Sequence, residues 1–214
     1  MRIDLLFGFL GSGKTTLAKR ILEQWGPKER LALIVNEFGD VGVDGEILKG
    51  NGIDMVELSS GCLCCTLRGS LMNAIEELER RKPLDHIVIE ATGVAEPEQM
   101  LEDFADPSFR ARHVVGPITT VLDAAKYEKI RPMLGEFFDA QVEKADIVVL
   151  NKIDLADLAT LKRVRNEISE LNPEADVHFA ERGDMDLTAI MHGPPSRVAA
   201  HYAIDGGKHP RGGH

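Results

Sequence analysis

The chain has 214 residues, a formal net charge of −10 and a pI near 5.2. This acidic balance argues against binding of nucleic acid or of an anionic membrane through a general positive field, because either needs clustered lysine and arginine. Apolar runs fall short of the ~20 residues that span a bilayer, and the first residues lack the pattern of a secretory signal, so we expect a cytoplasmic protein. Small ligands, metal cations and other proteins remain as binding partners that this composition allows.

The first motif, at residues 8–16, reads GFLGSGKTT. It follows an apolar run and precedes a helical pattern, which is the context of a phosphate-binding loop. The glycines let backbone N–H groups point at phosphate oxygens, and the start of the helix adds a positive dipole. Lys14 is expected to reach the β- and γ-phosphates, and the Thr15 hydroxyl to bind Mg²⁺. The predicted phosphate-binding residues are Gly11, Ser12, Gly13, Lys14, Thr15 and Thr16.

Apolar runs alternate with helical patterns along the chain, which predicts an α/β fold, with a parallel sheet between two helical layers. The predicted strands are 2–7, 31–35, 53–58, 86–90, 114–122, 146–150 and 177–179. The predicted helices follow the phosphate loop up to Trp25, run from Leu67 until Pro83 closes the helix, and cover 124–145 (one helix or a broken pair), 158–171 and 185–191. Beyond Gly193 the composition shifts to Gly, Pro and His. We therefore predict a nucleotide-binding domain over 1–192 and a flexible tail over 193–214.

The loop at residues 36–45, NEFGDVGVDG, is rich in glycine and acidic residues and lacks apolar periodicity. Its position after the first helix favours a switch segment ordered by the γ-phosphate and Mg²⁺. A plain surface connection is the alternative.

All three cysteines, Cys62, Cys64 and Cys65, fall within four positions on a predicted strand-to-helix turn. No other cysteine is present to pair with them, so the cluster indicates a metal-binding or redox-active site. Soft thiolates favour zinc, cobalt or nickel over magnesium. The fourth ligand of a tetrahedral site must then be a water, a carboxylate, a partner's group or a histidine near the end of the chain. Structural thiols or a redox pair are the alternatives. The candidate histidines are His192, His201, His209 and His214.

Two later strands end in polar residues that suit a nucleotide site. Strand 86–90 ends at Glu90 and continues to Gly93, whose backbone is expected near the γ-phosphate. Strand 146–150 is followed by Asn151-Lys152-Ile153-Asp154. The Asp154 carboxylate can accept both N1–H and N2–H₂ of guanine, a pattern that adenine does not present.

Hydrolysis of a nucleoside triphosphate requires clamped phosphates, neutralised charge and an aligned water. Lys14 is the predicted catalytic clamp. Glu37 and Glu90 are both candidates to position the water, and one of them would instead act on Mg²⁺ through a water molecule. The sequence shows no obvious arginine finger, so slow intrinsic turnover is predicted.

The phosphate loop, VNEFGDVGVDG, SSGCLCC, IVIEATGVAEP and NKID occur in this order, and residues 1–192 thereby resemble the CobW-type metal-chaperone GTPases, relatives of UreG and HypB. GCLCC is the most specific part of the resemblance. The resemblance implies a P-loop NTPase fold of the Ras-like G-domain type, GTP hydrolysis to GDP with Mg²⁺, and binding of a transition metal. It implies that residues 11–16 hold the phosphates, that Asn151, Lys152 and Asp154 hold the guanine, and that the three cysteines hold the metal.

The resemblance also implies Glu37 or Asp40 as an additional metal ligand. Its expected partners are a client metalloprotein or a cofactor-synthesis enzyme, and a nucleotide-dependent homodimer is frequent among the relatives. Typical relatives continue into a C-terminal domain, whereas this sequence stops where the linker to that domain would begin.

Two other functions remain open. The chain could be a zinc- or redox-sensing regulatory module whose cysteines respond to conditions and whose hydrolysis is incidental. A small-molecule kinase is a third reading, but NKID and the absence of an evident arginine-rich lid argue against it.

Overall fold

A seven-stranded parallel sheet organises the molecule. The computed structural model describes residues 1–35, 54–57, 67–93 and 95–205. The strands are β1 (Arg2–Phe7), β2 (Leu31–Val35), β3 (Asp54–Glu57), β4 (His86–Glu90), β5 (Val114–Asp123), β6 (Ile147–Asn151) and β7 (Asp176–Ala180). Their order in the sheet is β3-β2-β4-β1-β5-β6-β7.

Helices connect the strands and cover both faces of the sheet. Within the described ranges we number them α1 (Lys14–Trp25), α2 (Leu67–Arg81), α3 (Pro97–Phe104), α4 (Pro107–Arg110), α5 (Tyr127–Leu134), α6 (Glu136–Glu143), α7 (Leu158–Leu171), α8 (Thr188–His192) and α9 (Arg197–Asp205), with a 3₁₀ turn at Ile153–Leu155. The predicted three-layer α/β architecture is confirmed.

The core follows the alternation of side chains along the strands. On β1, Leu5 and Phe7 pack on the face covered by α2, α3 and α9, whereas Leu6 packs on the opposite face with α1 and α8. Strands β2 and β4 are buried along their whole length, as expected for parallel strands that are covered on both sides. A third apolar cluster joins β6 to α5, α6 and α7.

The order of the strands determines where a ligand can bind. The chain leaves β1 toward β2 on one side, returns as β4 beside β1, and then crosses to β5 on the other side of β1. Ligands of open α/β sheets bind at such a switch point, at the carboxyl ends of the strands. The connections that follow β1, β4, β5 and β6 therefore meet around one crevice.

The predicted helix or broken pair over 124–145 is a broken pair. Gly135, at φ +53°, separates α5 from α6. Pro132 lies inside α5. The only break in this stretch is at the glycine, because glycine adopts positive φ without the strain that a side chain would add.

The structure differs from the expected flexible tail over residues 196–205. Ser196 is buried, and its N–H donates to the Val115 carbonyl at 3.0 Å. Helix α9 follows, and Tyr202 is 5% exposed within the apolar cluster that contains α3. Val198, Ala199 and Tyr202 provide apolar groups at helical spacing, which the Gly, Pro and His content of the whole segment concealed. Residues 206–214 lie outside the described part of the chain.

Among the described residues, no helix has the length and apolar content to cross a bilayer.

Replacing Tyr202 by alanine tests whether α9 is part of the folded domain. We expect Tyr202→Ala to lower the free energy of unfolding by about 3 kcal/mol, because the buried ring leaves a cavity. Replacing the exposed His201 on the same helix should change it by less than about 0.5 kcal/mol. Urea unfolding followed by circular dichroism measures both, and equal small effects would show that α9 contributes nothing to the core.

Candidate functional site

The phosphate loop occupies the connection between β1 and α1. Gly13, at φ +110°, is the residue before α1, and a Cβ at this position would lie 2.2 Å from the Asn151 side-chain nitrogen. Only glycine fits here, both for its backbone conformation and for its close neighbour. The N-terminus of a 12-residue helix therefore points into the crevice, with backbone N–H groups and the positive end of its dipole.

Two side chains of the loop suit a bound phosphate. Lys14 is 6% exposed, and its Nζ donates to the Phe9 carbonyl at 3.3 Å, so its ammonium group is folded back over the loop. The Ser12 Oγ is buried and has no hydrogen-bond partner within the described residues. Because buried hydroxyl groups are almost always hydrogen-bonded, this atom indicates a place for a ligand oxygen. The residues present fit a phosphate group.

Thr15 and Glu90 form a contact between α1 and the end of β4. The Thr15 Oγ1 donates to Glu90 Oε1 at 2.7 Å, and Glu90 is 2% exposed. A hydroxyl oxygen and a carboxylate beside a phosphate loop are the hard oxygen donors that Mg²⁺ prefers. The hydroxyl can donate to Glu90 while its oxygen faces a cation, so this pair fits a magnesium ion.

Gly93 lies directly against the phosphate loop. A Cβ on Gly93 would lie 2.8 Å from the Leu10 backbone nitrogen, so no larger residue fits without a shift of one backbone. The connection after β4 thus passes from Glu90 along the outer end of the loop, on the side where the last phosphate of a bound nucleotide is expected.

Asn151, at the end of β6, joins two other loops. It is 1% exposed, its Nδ2 donates to the Ser12 carbonyl at 2.9 Å, and its Oδ1 accepts from the Gly183 N–H at 2.9 Å. All the polar atoms of the Asn151 side chain therefore face protein backbone. In this arrangement Asn151 holds the phosphate loop, its own loop and the loop after β7 in one place.

Lys152 adds a second bond between the same loops. It has a left-handed backbone, at φ 60°, and its Nζ contacts both the Gly11 carbonyl and Asp123 Oδ2, the latter at 2.8 Å.

Asp154 is exposed in the 3₁₀ turn that follows Lys152. The start of α7 is fixed three residues later by Asp157, which accepts from the Thr160 N–H at 2.7 Å, and this bond holds the pKa of Asp157 below its usual value. The turn that carries Asp154 is thus anchored at both ends.

The structure also shows supporting residues that the sequence analysis missed. Asp123 is 5% exposed and accepts from the N–H groups of Ala125 and Lys126, both at 3.1 Å, as well as from Lys152. The predicted strand 114–122 ends one residue before Asp123, so this residue is not among the predicted site residues. An acidic residue at the end of a strand is the signal that could have identified it. On the other side, Arg20 of α1 donates to the Arg182 carbonyl at 2.8 Å and contacts Asp184, which holds the loop after β7 against α1.

The structure brings most of the predicted nucleotide-site residues to one edge of the sheet. These are Gly11, Ser12, Gly13, Lys14, Thr15, Thr16, Glu90, Gly93, Asn151, Lys152 and Asp154. The predictions on Glu37, Asp40 and the three cysteines fall outside the described residues.

The described ranges hold no group of three or more His, Cys, Asp or Glu side chains placed to bind a metal ion. His192, one of the candidate histidines, lies 3.0 Å from Glu29 Oε1 and 4.5 Å, centroid to centroid, from the Trp25 ring. It is therefore engaged at the amino end of the sheet, on the side away from the nucleotide crevice. His209 and His214 are outside the described part of the chain.

Comparison with known proteins agrees with this geometry. The family model "CobW/HypB/UreG, nucleotide-binding domain" matches residues 3–179. A zinc chaperone CobW from Sinorhizobium is 37% identical over an alignment that covers 88% of this chain and 61% of the relative. A zinc-regulated GTPase metalloprotein activator 1 from Schizosaccharomyces pombe is 35% identical and covers 86% of this chain and 46% of the relative.

A crystal structure of Zn(II)-bound YjiA GTPase from Escherichia coli has a TM-score of 0.69 and 28% sequence identity, covering 90% of this chain and 62% of that one. This chain thus spans about half to three fifths of the length of these proteins. The predicted fold class and the resemblance stated from the motifs are both confirmed. The chain belongs to the CobW/HypB/UreG family and contains its nucleotide-binding domain.

Proposed function

We propose that this chain is a GTP-hydrolysing metallochaperone that binds a transition metal in a nucleotide-dependent way and delivers it to a client metalloprotein or cofactor-synthesis enzyme. The nucleotide part is supported above all by Asn151, which joins the phosphate loop to the NKID loop through the Ser12 carbonyl. The metal part is supported by the cysteine cluster and by relatives whose names describe zinc chaperones. Zinc is therefore the favoured ion, with cobalt and nickel as the alternatives.

Selection of guanine is assigned to Asp154. Its carboxylate is exposed beside the crevice, where it can accept N1–H and N2–H₂ of the base. A site built for a pair of hydrogen bonds rejects a base that lacks one donor, because a charged group would lose its partner. Asn151 and Lys152 act in this proposal as supports of the loop, since their side chains are engaged with protein groups.

The reaction transfers the γ-phosphoryl group to water. The water oxygen forms a bond to the γ-phosphorus, the bond from that phosphorus to the β–γ bridging oxygen breaks, and GDP and inorganic phosphate leave. Lys14 and the N–H groups of residues 11–16 neutralise charge on the phosphates. Mg²⁺, held by Thr15 and through Glu90, would supply further charge stabilisation when bound. The engagement of Glu90 with Thr15 favours a role near the ion, which leaves Glu37 as the candidate that positions the water.

The metal to be delivered is assigned to Cys62, Cys64 and Cys65, with Glu37 or Asp40 as a further ligand. Three thiolates and one exchangeable ligand suit an ion that is to be passed on, since closed four-ligand sites are structural. If the 36–45 loop responds to the γ-phosphate, binding of GTP and binding of metal are coupled. A nucleotide-dependent homodimer and a cytoplasmic location remain predictions.

Replacing Asp154 by asparagine tests base recognition. We expect Asp154→Asn to weaken GDP binding at least about a hundredfold, because the asparagine amide cannot accept both guanine donors. The same variant should gain affinity for xanthosine diphosphate, whose C2 oxygen can accept from the new amide. Titration with fluorescent nucleotide analogues measures both. Unchanged GDP affinity would contradict the assignment.

Replacing Glu90 by glutamine tests the magnesium side of the site. We expect Glu90→Gln to reduce kcat for GTP hydrolysis about a hundredfold and to raise the Mg²⁺ concentration needed for half-maximal rate, because the negative charge beside Thr15 is lost. Phosphate release under saturating GTP gives both values. The exposed Glu96, in the same connection, is the matched control, and Glu96→Gln should change neither. Equal rates in the two variants would exclude a role for Glu90.

A cobalt(II) titration tests the coupling of metal and nucleotide. Thiolate-to-cobalt charge-transfer absorbance should appear at lower metal concentration with Mg²⁺ and a non-hydrolysable GTP analogue than without nucleotide, because coupling between two sites is reciprocal. The bands should disappear in Cys64→Ala. Metal affinity that ignores the nucleotide would overturn the coupling, and thiols that oxidise readily without binding metal would favour the redox-sensing module.

A further inference from the structure

Gln141 lies on α6, which carries none of the predicted site residues, yet its side chain bonds to the connection after β4, which carries Gly93. It is 2% exposed, and its Nε2 donates to the carbonyls of Ala95 at 3.0 Å and Gly93 at 3.3 Å. Its own backbone carbonyl accepts from the Thr120 hydroxyl of β5 at 2.7 Å. One buried amide thus ties the connection after β4 to a helix that β5 holds in place.

The connection held by Gln141 is the one that touches the phosphate loop. Gly93 lies so close to Leu10 that a Cβ would stand 2.8 Å from its nitrogen. The carbonyl of Gly93 is bonded to Gln141, so its backbone is fixed from both sides, by the phosphate loop and by α6. A third restraint comes from the same strand end, where Glu90 contacts Thr15.

We infer that Gln141 is a positioning residue that holds Gly93 where it meets the γ-phosphate, and that it thereby sets the preference for GTP over GDP. This inference rests on the proposed function of the site. With Gln141 in place, the carbonyls of Gly93 and Ala95 are held before the nucleotide binds. Without the amide, the two carbonyls lose their buried donor, and the backbone at Gly93 adopts other conformations that GTP must then order at a cost in affinity. Because GDP has no γ-phosphate, its affinity does not depend on the conformation of Gly93.

The test replaces Gln141 by methionine, which keeps the length of the side chain and removes the amide. We expect Gln141→Met to weaken binding of the Mg²⁺ complex of a non-hydrolysable GTP analogue about tenfold, since two hydrogen bonds are lost, and to leave GDP affinity within about twofold. Isothermal titration calorimetry of both nucleotides gives the ratio of affinities. Gln141→Asn, whose side chain is one methylene shorter, should show the same change. It replaces the methionine variant in the test if that variant does not fold.

Asn172 provides the matched control. It is also a buried amide that donates to backbone carbonyls at α6, but its acceptors are the last two residues of that helix, Val142 at 2.8 Å and Glu143 at 3.1 Å, and Ala145 just beyond it at 2.9 Å. It has no bond to Gly93 or Ala95 among these contacts. Asn172→Leu should lower thermal stability and leave the ratio of affinities unchanged. A shift of this ratio in the control would show that general loosening of α6 is responsible and would overturn the specific role.

Two other results distinguish failure of this inference from failure of the proposed function. Equal losses for GDP and the GTP analogue in the Gln141 variants, or no loss for either, would overturn the inference while the wild-type protein still binds both. Failure of the wild-type protein to bind either guanine nucleotide would overturn the proposed function itself, and that failure is visible before any variant is made.

Discussion

The candidate site depends on the buried side chain of Asn151. Its amide satisfies the Ser12 carbonyl and the Gly183 N–H, two backbone groups from separate loops. Removing it would leave both groups unsatisfied in the interior, where an unpaired donor or acceptor costs about 1–3 kcal/mol. The same side chain excludes any Cβ at Gly13. The contact of Asn151 with Ser12 therefore holds the phosphate loop against the NKID loop, and Lys152 adds a second bond between them at the Gly11 carbonyl.

Around this contact the supporting groups divide into two sets. Lys152, Asp123 and Arg20 hold the loops where the base is expected. Glu90, Thr15 and Gln141 hold the elements beside the outer end of the phosphate loop. The two sets share their supports, because Arg20 and Thr15 both lie on α1, and β5 both ends at Asp123 and bonds Gln141 through Thr120. The part of the site where the base is expected and the part beside the last phosphate are thus held by one framework.

The charge of the site contrasts with that of the chain. The protein carries a formal net charge of −10, yet Lys14 and Lys152 both place their ammonium groups at the phosphate loop, and α1 directs the positive end of its dipole to the same place. Lys152 is paired with the buried Asp123, which fixes its position. These local groups would attract a phosphate-bearing ligand even though the chain as a whole is acidic.

The sequence by itself determined the phosphate loop, the parallel α/β sheet and the residues that end its strands, because local apolar periodicity and glycine spacing carry those signals. Tertiary structure decided which protein groups each of these side chains contacts. Asn151 is predicted from the motif to bind the base, and its side chain contacts Ser12 and Gly183, which are distant in sequence. The role of Gln141 likewise depends on contacts between residues far apart in the chain, which no local pattern records. Asp123 and helix α9 did carry local signals, an acidic residue at a strand end and apolar residues at helical spacing, but only their tertiary contacts show what they do.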